Sequence, residues 1–460
     1  MSVQEMPKVR TGNRKLPGPR GSLVLGCLPE IQKNILPFVE RVARDYGDIA
    51  RIRLLPGFHC VMLSNPDHYR QVLVKGSDKY IKELTHFDIL SLLIGKGVIT
   101  LNREPWRERR KLIQPAFHHQ LLSGFADIMT KATGEMLARW RERGPDPSFD
   151  IEREMTDLTL TIATRSFLSV DFSGELEVVG RAFAEATQLM AKRWANPLSY
   201  RLSNLPTPDN RAFNAAVKTL DDLVYRIIAE RRRSNNEPGD ILSMLLTARD
   251  EETGRTLTDR ELRDEIMAVM IAGHETSSAA LTWTWYLLSQ NPEAERKLLA
   301  ELATVLGGRL PKLEDLPNLK FTRWAFEEAM RLYPPGYILG RRAMSDDVID
   351  GYHIPAGTAV YLAPYATHRS AAIWKDPLTY DPERFSEAGS IDRPQTAFLP
   401  FGAGPRVCMG VAFAQMELQL VIATVAQQVR LAFAGNVPVE PVPVFTIRPK
   451  GGMPMRAMWR

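Results

Sequence analysis

The sequence predicts a mainly α protein with a small β region, organised as one large domain. Apolar residues recur at helical spacing from Arg103 to about Ala248, and again over a longer stretch from Thr258 to Gln290. Segments that alternate like strands are few and short. No Gly/Ser-rich linker separates these parts, so we expect a flexible N-terminus over residues 1–15 and a single domain over residues 16–460.

Composition and charge exclude several classes of protein. A hydrophobic content of 44% excludes a disordered chain, and a net charge of +5 is too small to indicate a nucleic-acid partner. No apolar run approaches the roughly 20 residues of a membrane-spanning helix, so we expect no transmembrane anchor. Cys27, Cys60 and Cys408 form no CxxC pair, which argues against a disulfide framework or zinc site. We expect a cytoplasmic monomer.

The N-terminal part predicts a helix followed by a hairpin. Residues Ile35 to Tyr46 carry apolar side chains at helical spacing. Two segments, Ile49 to Leu55 and Cys60 to Leu63, then alternate like strands around the turn Pro56-Gly57.

The central part predicts a series of helices. Breaks are expected at Gly144-Pro145, Pro197, Pro206-Thr207-Pro208 and Pro238-Gly239. The longest predicted helix begins after Thr258, a good N-cap residue with Glu261 three positions later, and runs to Gln290.

The C-terminal part predicts helices around an irregular segment. Pro334-Pro335 ends the second of two helices that follow Gln290. These two helices are expected at Pro292 to Leu306 and at Asn318 to Leu332, and short strands follow within Ile338 to Leu362. An irregular stretch over Ala363 to Val407 then leads to a final helix from Cys408 to about Gln428. Strands are expected in the remaining tail.

The most informative motif is FGAGPRVCMG, residues Phe401 to Gly410. Two of its glycines can turn the backbone sharply and place Cys408 at the start of the final helix, where the helix dipole favours a thiolate. Loop amides can also hydrogen-bond the sulfur. The pattern suits one anionic sulfur ligand on a metal whose other ligands are not protein; the alternative is a buried free cysteine.

This motif resembles the haem loop of the cytochrome P450 superfamily, Phe-x-x-Gly-x-Arg-x-Cys-x-Gly. Every fixed position matches, at Phe401, Gly404, Arg406, Cys408 and Gly410. The resemblance implies that Cys408 is the axial ligand of haem iron, that Phe401 packs beside the sulfur, and that Arg406 pairs with a haem propionate. It also implies the cytochrome P450 fold, with haem b (iron protoporphyrin IX) between the long central helix and the helix that follows the cysteine loop.

A second motif, AGHET at residues 272–276, lies in the middle of the longest predicted helix. One helix face carries Val269, Ala272, Gly273 and Thr276. These side chains leave room over a flat ligand, although plain packing of a small-residue face is the alternative. The motif matches the oxygen-binding stretch of the family. The resemblance therefore implies that Ala272 and Gly273 border the haem, that Thr276 donates a hydrogen bond to bound oxygen, and that Glu275 relays protons.

A third motif places Glu328 and Arg331 at i and i+3 on one helix face, where an exposed pair contributes about 0.2–0.5 kcal/mol. The family has a Glu-x-x-Arg here, joined by an arginine from a downstream Pro-x-Arg-Phe. This chain has that arginine at Arg384. The resemblance implies a buried network of the three residues with a structural role.

Basic residues before and after the central helix are candidates for binding the haem propionates or for docking an electron donor. Trp106 and Arg110 match the family's Trp-x-x-x-Arg helix, whose members contact a propionate, and Arg342 is a further candidate that competes with Arg341. Another face of the same helix carries Arg103, Arg107 and Lys111. That face is either a solvated surface or part of a docking surface for an acidic electron donor.

Apolar side chains at positions matching the family's substrate-contacting segments suit a lipophilic molecule such as a fatty acid, terpenoid, steroid or carotenoid. Each could equally be a core residue. They are Leu84, Phe87, Met190, Trp194, Met267, Met270, Ile271, Tyr337, Ile338 and Met453.

The predicted activity is that of a haem-thiolate monooxygenase using O2. The sequence contains no flavin or iron–sulfur domain and no GxGxxG or P-loop motif, so electrons from NAD(P)H are expected through a separate ferredoxin or flavodoxin with its reductase. The alternatives are a haem-thiolate peroxygenase or isomerase and a non-catalytic haem sensor. The adjacent Glu275 and Thr276 argue against both, because neither needs a proton relay.

Overall fold

The computed structural model describes residues 15–117, 119–171, 174–195, 202–234, 239–250 and 253–460. Most of these residues are helical and the sheets are small, which confirms the predicted fold class. Residues 1–14, the predicted breaks at Pro197 and Pro238, and the side chain of Leu84 lie outside the described part. Among the described residues, no helix is both long and apolar enough to cross a bilayer.

The helices, in chain order, are α1 (Leu28–Lys33), α2 (Ile35–Tyr46), α3 (Pro66–Arg70), α4 (Leu84–Ile94), α5 (Arg103–Ile113), α6 (His119–Glu142), α7 (Ile151–Leu168), α8 (Leu176–Ala195), α9 (Pro208–Arg233), α10 (Ile241–Thr247), α11 (Asp259–Gln290), α12 (Pro292–Leu306), α13 (Lys320–Leu332), α14 (Pro364–Thr367), α15 (Glu387–Ser390) and α16 (Val411–Gln428).

The strands, in chain order, are β1 (Ile49–Leu55), β2 (Phe58–Leu63), β3 (Tyr80–Lys82), β4 (Ser148–Asp150), β5 (Leu339–Ala343), β6 (Asp347–Ile349), β7 (Tyr352–Ile354), β8 (Ala359–Leu362), β9 (Val429–Phe433), β10 (Pro441–Pro443), β11 (Ile447–Pro449) and β12 (Pro454–Trp459).

Local signals in the sequence explain where the principal helices begin and end. The Thr258 hydroxyl accepts a hydrogen bond from the Glu261 amide, and the Glu261 carboxylate accepts one from the Thr258 amide, so the predicted capping box starts α11. Helix α13 ends at Leu332, before Pro334, as predicted. The final helix begins at Val411, not at Cys408 as predicted, because residues 408–410 form a turn.

The described residues form two compact units. The first lies within Met1–Thr85, Ile338–Pro377 and Arg393–Val407. Its five-stranded sheet has the order β1-β2-β8-β5-β3; β2 and β8 are parallel and the other neighbours antiparallel. Leu63, Val360 and Leu362 are fully buried in the hydrophobic core of this unit.

The second unit comprises His86–Tyr337, Leu378–Asp392 and Cys408–Arg460. Helix α11 is its centre and packs against α7, α9, α13 and α16. A three-stranded sheet of order β4-β12-β9 and the β10–β11 hairpin complete the unit. The division of the chain into domains otherwise stays a prediction.

Candidate active site

Cys408 lies in the second unit, in the turn that precedes α16, and its side chain is exposed, whereas Cys27 and Cys60 are buried. Helix α16 packs against α11. Five residues after Cys408, the Phe413 ring lies 4.7 Å from the ring of Phe167 on α7. The turn that carries the thiol is therefore supported by packing against the helices that form the centre of this unit.

The preceding part of the cysteine loop belongs to the first unit, where Phe401 and Arg406 are half-buried. Gly404 has φ +70°, and a Cβ there would lie 1.9 Å from the Leu73 carbonyl oxygen. Only glycine fits this conformation and this close approach, which explains the residue type at that position.

Helix α11 is buried on all sides except along one narrow face. Between Leu262 and Leu288 the residues that are only partly buried are Val269, Ala272, Gly273, Thr276 and Tyr286. The first four have the i, i+3, i+4, i+7 spacing of one face. We call these four residues the open face of α11. The middle of α11 is therefore less buried on this face than on its other sides.

Two contacts define the shape of this face. The Thr276 hydroxyl donates a hydrogen bond of 2.6 Å to the Ala272 carbonyl oxygen, one turn earlier. A Cβ on Gly273 would lie 2.9 Å from Cε2 of Phe167. Glycine at 273 is thus needed for the approach of α7 to α11, in addition to leaving the open face free.

Glu275 does not belong to the open face of α11, and its side chain is buried. Its carboxylate is bound by Arg448 of β11: Nε lies 3.1 Å from Oε1, and Nη2 hydrogen-bonds Oε2. A third nitrogen of Arg448, Nη1, lies 3.4 Å from Oε1 of Glu152 in the first turn of α7. One guanidinium is therefore shared by two carboxylates, and we call these three residues the shared cluster.

Glu152 is the more accessible carboxylate of the shared cluster. Burial raises its pKa to about 7, the neighbouring charges of Asp150 and Glu275 add to the shift, and Arg448 opposes it. Burial lowers the pKa of His274, which lies beside Glu275. The shared cluster can thus change protonation near neutral pH at Glu152.

Sequence reasoning missed both Arg448 and Glu152. Arg448 is 173 residues from Glu275 along the chain, and neither residue carries a local pattern. A single arginine in a C-terminal strand and a glutamate in the first turn of a helix are common, so no signal in the sequence identified them.

The predicted propionate ligands Trp106 and Arg110 lie together on α5, with the Arg110 guanidinium carbon 5.6 Å from the centre of the Trp106 ring. Burial lowers the pKa of Arg110, and the negative charge of the Cys408 sulfur opposes that shift. The two predicted ligand residues Arg110 and Cys408 therefore lie within electrostatic range of each other in the second unit.

Arg341 and Arg342, the two competing candidates for a propionate ligand, have different contacts. Arg342 forms an ion pair of 2.5 Å with Glu83 in the first unit. The Arg341 guanidinium donates to the Gly340 carbonyl oxygen, and no carboxylate contacts it among the described residues. Burial lowers its pKa to about 10. Arg341 is partly buried, and which of the two arginines binds a carboxylate ligand stays a prediction.

Glu328, Arg331 and Arg384 come together as a second arginine–carboxylate cluster, which we call the closed cluster. Arg331 binds both Glu328 oxygens at 2.7 and 2.8 Å, and Arg384 lies 3.2 Å from one of them. The Asp381 amide also donates to Glu328. Burial raises the pKa of Glu328 and both arginines oppose the shift. Glu328 and Arg331 have no exposed surface.

Two of the predicted pocket residues meet at the segment before β11. The Trp194 ring lies 6.0 Å from the Phe445 ring, and its Nε1 donates to the His86 carbonyl oxygen, next to Phe87. The Tyr337 hydroxyl donates to the Val444 carbonyl oxygen. Phe445 was not predicted, because the tail carries only a strand pattern.

Other predicted pocket residues are placed differently. Ile338 belongs to the first unit and is half-buried. Five have almost no accessible surface and are core side chains in this structure, so their contact with a substrate stays a prediction; these are Met190, Met267, Met270, Ile271 and Met453.

The basic face of α5 is exposed at Arg103, Arg107 and Lys111, and Arg107 pairs with Glu104 at 2.8 Å. The Glu104 carboxylate offsets the positive charge of Arg107, which lies between Arg103 and Lys111 on this face. The role of the face in docking an electron donor stays a prediction.

Comparison with known proteins gives a consistent result over nearly the whole chain. A family model for cytochrome P450 matches residues 16–453. Cyclooctatin synthase of Streptomyces melanosporofaciens is 33% identical over 423 residues, which cover 90% of this chain and 87% of that protein. Cyclooctat-9-en-7-ol 5-monooxygenase of the same species is 33% identical over 84% of this chain and 83% of its own length.

Pentalenene oxygenase of Streptomyces avermitilis is 32% identical over 426 residues, which cover 92% of this chain and 93% of that protein. The residues that the family model matches include the cysteine loop, the open face of α11 and the closed cluster. The chain belongs to the cytochrome P450 family and is a monooxygenase of that family.

Proposed function

We propose that this monooxygenase inserts one atom of O2 into a C–H or C=C bond of a polycyclic, terpenoid-type hydrocarbon. The electrons come from NAD(P)H through a separate ferredoxin or flavodoxin with its reductase. The observation that carries the proposal is the open face of α11: in the middle of a largely buried helix, the partly accessible residues include Ala272, Gly273 and Thr276 of the oxygen-binding motif.

The residues present fit a haem. Cys408 offers an exposed thiol shortly before α16. Arg110, in the same unit, is partly buried, and burial lowers its pKa. A thiolate and a guanidinium are groups that bind haem iron and a haem propionate. Cys408 would hold the iron, and Arg110 would bind a propionate.

When bound, the haem supplies the site at which O2 is bound, reduced and cleaved. One oxygen atom enters the substrate and the other leaves as water, so the protein must deliver protons. Thr276 is on the open face, and its hydroxyl, which donates to the Ala272 carbonyl oxygen, can accept a hydrogen bond there and pass a proton on.

Glu275 is the residue that supplies Thr276 with protons, and Arg448 positions it. The Glu275 carboxylate must turn away from Arg448 to approach the Thr276 hydroxyl. That movement would leave a buried cation unpaired, which is costly. Because Arg448 also contacts Glu152, its charge stays neutralised when Glu275 moves. The Glu152 side chain is 18% exposed and so connects Glu275 and Arg448 to solvent.

The substrate class follows from the relatives and from the apolar residues near the site. Two of the relatives are named for the oxidation of cyclooctat-9-en-7-ol and pentalenene. In this chain Trp194, Phe445 and Tyr337 present aromatic surface, and the Trp194 indole nitrogen and the Tyr337 hydroxyl already donate to backbone carbonyls. Such a surface offers few hydrogen-bonding groups to a ligand and favours a hydrocarbon ring system over a fatty acid.

The test of the relay compares two threonines of α11. In Thr276→Ala we expect haem and the red-shifted carbon-monoxide band to be retained, while the fraction of NADPH recovered as product falls severalfold and peroxide rises. Thr282→Ala is the matched control, because Thr282 makes the same bond to the carbonyl four residues earlier but is buried away from the open face. Equal coupling in both variants would refute the relay.

The test of the substrate class is a spectral-shift titration of the purified ferric protein. Polycyclic terpenes should displace the ligand on iron at lower concentration than fatty acids of similar mass. A preference for fatty acids would refute the terpenoid assignment and leave the monooxygenase assignment intact.

A further inference from the structure

Three consecutive residues in the second turn of α11, Arg263, Asp264 and Glu265, are charged and buried. Charged side chains are seldom buried without partners, so the groups that they bind show what they hold. All three bind the main chain of residues 93–98, which comprise the end of α4 and the start of its connection to α5. We call Arg263, Asp264 and Glu265 the clamp.

The two carboxylates of the clamp bind backbone amides of this connection. Asp264 accepts a hydrogen bond of 2.8 Å from the Lys96 amide. Glu265 accepts one from the Val98 amide, whose nitrogen lies 3.0 and 3.1 Å from the two carboxylate oxygens. Because both donors are backbone groups, these bonds fix the path of the main chain between α4 and α5.

Two glycines allow the connection to lie directly on the clamp. Gly95 has φ +71°, and a Cβ there would overlap Oδ1 of Asp264. A Cβ on Gly97 would lie 3.0 Å from Oε1 of Glu265. A side chain at position 95 would therefore push the connection away from α11 or displace the Asp264 carboxylate.

The charges of the clamp are balanced from two neighbouring helices. Arg109 of α5 donates to Glu265 at 2.9 Å, and Asp221 of α9 accepts from Nε of Arg263 at 2.7 Å. Within the clamp, Arg263 also donates to Asp264 at 3.0 Å. A buried charge that leaves its partners becomes unpaired, which is costly. The clamp is therefore a rigid support for the segment that it binds.

Helix α4 is bound by a side chain at each of its ends. Near its C-terminal end, Arg263 donates to the Leu93 carbonyl oxygen at 2.9 Å. Near its N-terminal end, the Trp194 indole nitrogen donates to the His86 carbonyl oxygen at 3.2 Å. Between these points α4 carries Phe87, a predicted pocket residue that is half-buried. The position of Phe87 therefore depends on both contacts.

We propose that the clamp determines which bulky ligands the substrate pocket accepts, by positioning α4 and the Phe87 side chain that it carries. This inference rests on the proposed function in one respect, because it takes Phe87 as part of the pocket wall. The clamp residues are positioning residues, since they act through the main chain of α4. When the connection is released, α4 turns about its contact with Trp194, which rotates the adjacent Phe87 side chain away from a large ligand.

The experiment is a spectral titration of the ferric full-length protein with two azoles. Both bind through an imidazole nitrogen to iron; imidazole itself needs little more, whereas the aryl rings of clotrimazole extend into the pocket. Gly95→Ala pushes the connection away from Asp264 without removing a charge. We expect the Kd of clotrimazole to rise about tenfold and the Kd of imidazole to change less than about twofold.

The matched control is Gly307→Ala. Gly307 also has a positive φ, +58°, but apart from its chain neighbours no described atom lies within 4 Å of the place of its Cβ. This variant should bind both azoles as the parent protein does. Asp264→Ala should weaken clotrimazole binding as Gly95→Ala does, and it carries the same test if Gly95→Ala does not fold. Combining the two should add little, because both break one contact.

Three outcomes would overturn the inference. Gly95→Ala could bind clotrimazole as tightly as the parent, it could lose affinity for both azoles equally, or its effect could add in full to that of Asp264→Ala. A preference for fatty acids over terpenes would refute the proposed substrate class and leave the azole comparison unchanged, so the two failures are distinguishable. Circular dichroism and the carbon-monoxide band check that each variant is folded and holds haem.

Discussion

The second unit contains two buried arginine–carboxylate clusters whose side chains have the same chemistry and different surroundings. In the closed cluster, Glu328 is surrounded by Arg331, Arg384 and the Asp381 amide, and neither Glu328 nor Arg331 is exposed. In the shared cluster, Arg448 divides its nitrogens between Glu275 and Glu152, and its side chain is 23% exposed.

The two clusters differ in the number of hydrogen-bond donors that bind the central carboxylate, Glu328 or Glu275. Glu328 has two cations and a backbone donor, so no single motion can release it. Glu275 has one cation, and that cation has a second carboxylate within 3.4 Å. Glu328 is held in place because several donors bind it at once. Glu275 can move, because Glu152 can neutralise Arg448 when Glu275 leaves it. The first arrangement suits a structural role and the second suits proton transfer.

The largest effect should come from the closed cluster. Glu328→Gln removes the buried carboxylate that Arg331 and Arg384 share, and we expect the free energy of unfolding to fall by about 3–5 kcal/mol, measured by urea denaturation. Glu293→Gln is the control, because Glu293 pairs with Arg296 on an exposed helix face and this variant should lose far less stability. Similar losses in both variants would remove the distinction between the clusters.

The next effect concerns activity and not stability. Glu275→Gln removes the proton carrier, so we expect product formation to fall about 100-fold or more. The loss of stability should be smaller than for Glu328→Gln, because Arg448 keeps Glu152 as a partner. Product analysis and urea denaturation on the same samples check both expectations. A variant that is strongly destabilised but fully active per folded molecule would assign Glu275 to structure.

The smallest effect is the pH dependence carried by Glu152. Its pKa is about 7 in the folded protein, above the ordinary value of 4.5, so between these values the folded state binds a proton that the unfolded state does not. The free energy of unfolding should therefore fall as pH rises through this window. Glu152→Gln should reduce that slope and flatten the change in product formation near pH 7.

Glu177→Gln, which alters an exposed pair with Arg181, serves as the control for that measurement. Part of the slope should remain in Glu152→Gln, because burial also raises the pKa of Glu265 to about 7. An unchanged slope in Glu152→Gln would show that Glu152 does not titrate in this window.

The two clusters also differ in how far they could be predicted. Glu328 and Arg331 are three residues apart on one helix, and Arg384 sits in a short motif, so the closed cluster could be predicted from the sequence with the family resemblance. The open face of α11 could be predicted from helical spacing alone. The roles of Arg341 and Arg342 could not be separated, because two adjacent arginines look alike until Glu83 is seen to pair with one of them.

Neither the contact of Phe445 with Trp194 nor the shared cluster could be predicted from the sequence. Strand and cap patterns act over a few residues, and they predicted the capping box of α11 and the stop before Pro334, whereas the final helix begins three residues later than predicted. They carry no information on which distant segment packs beside a given side chain.

The sequence by itself thus determined the elements whose cause is local: the capped central helix, its small-residue face, and the glycine-rich loop that ends in Cys408. Only the tertiary structure decided which arginine neutralises Glu275. The 173 residues between them must first pack into α11 and the β10–β11 hairpin before either charge has a partner.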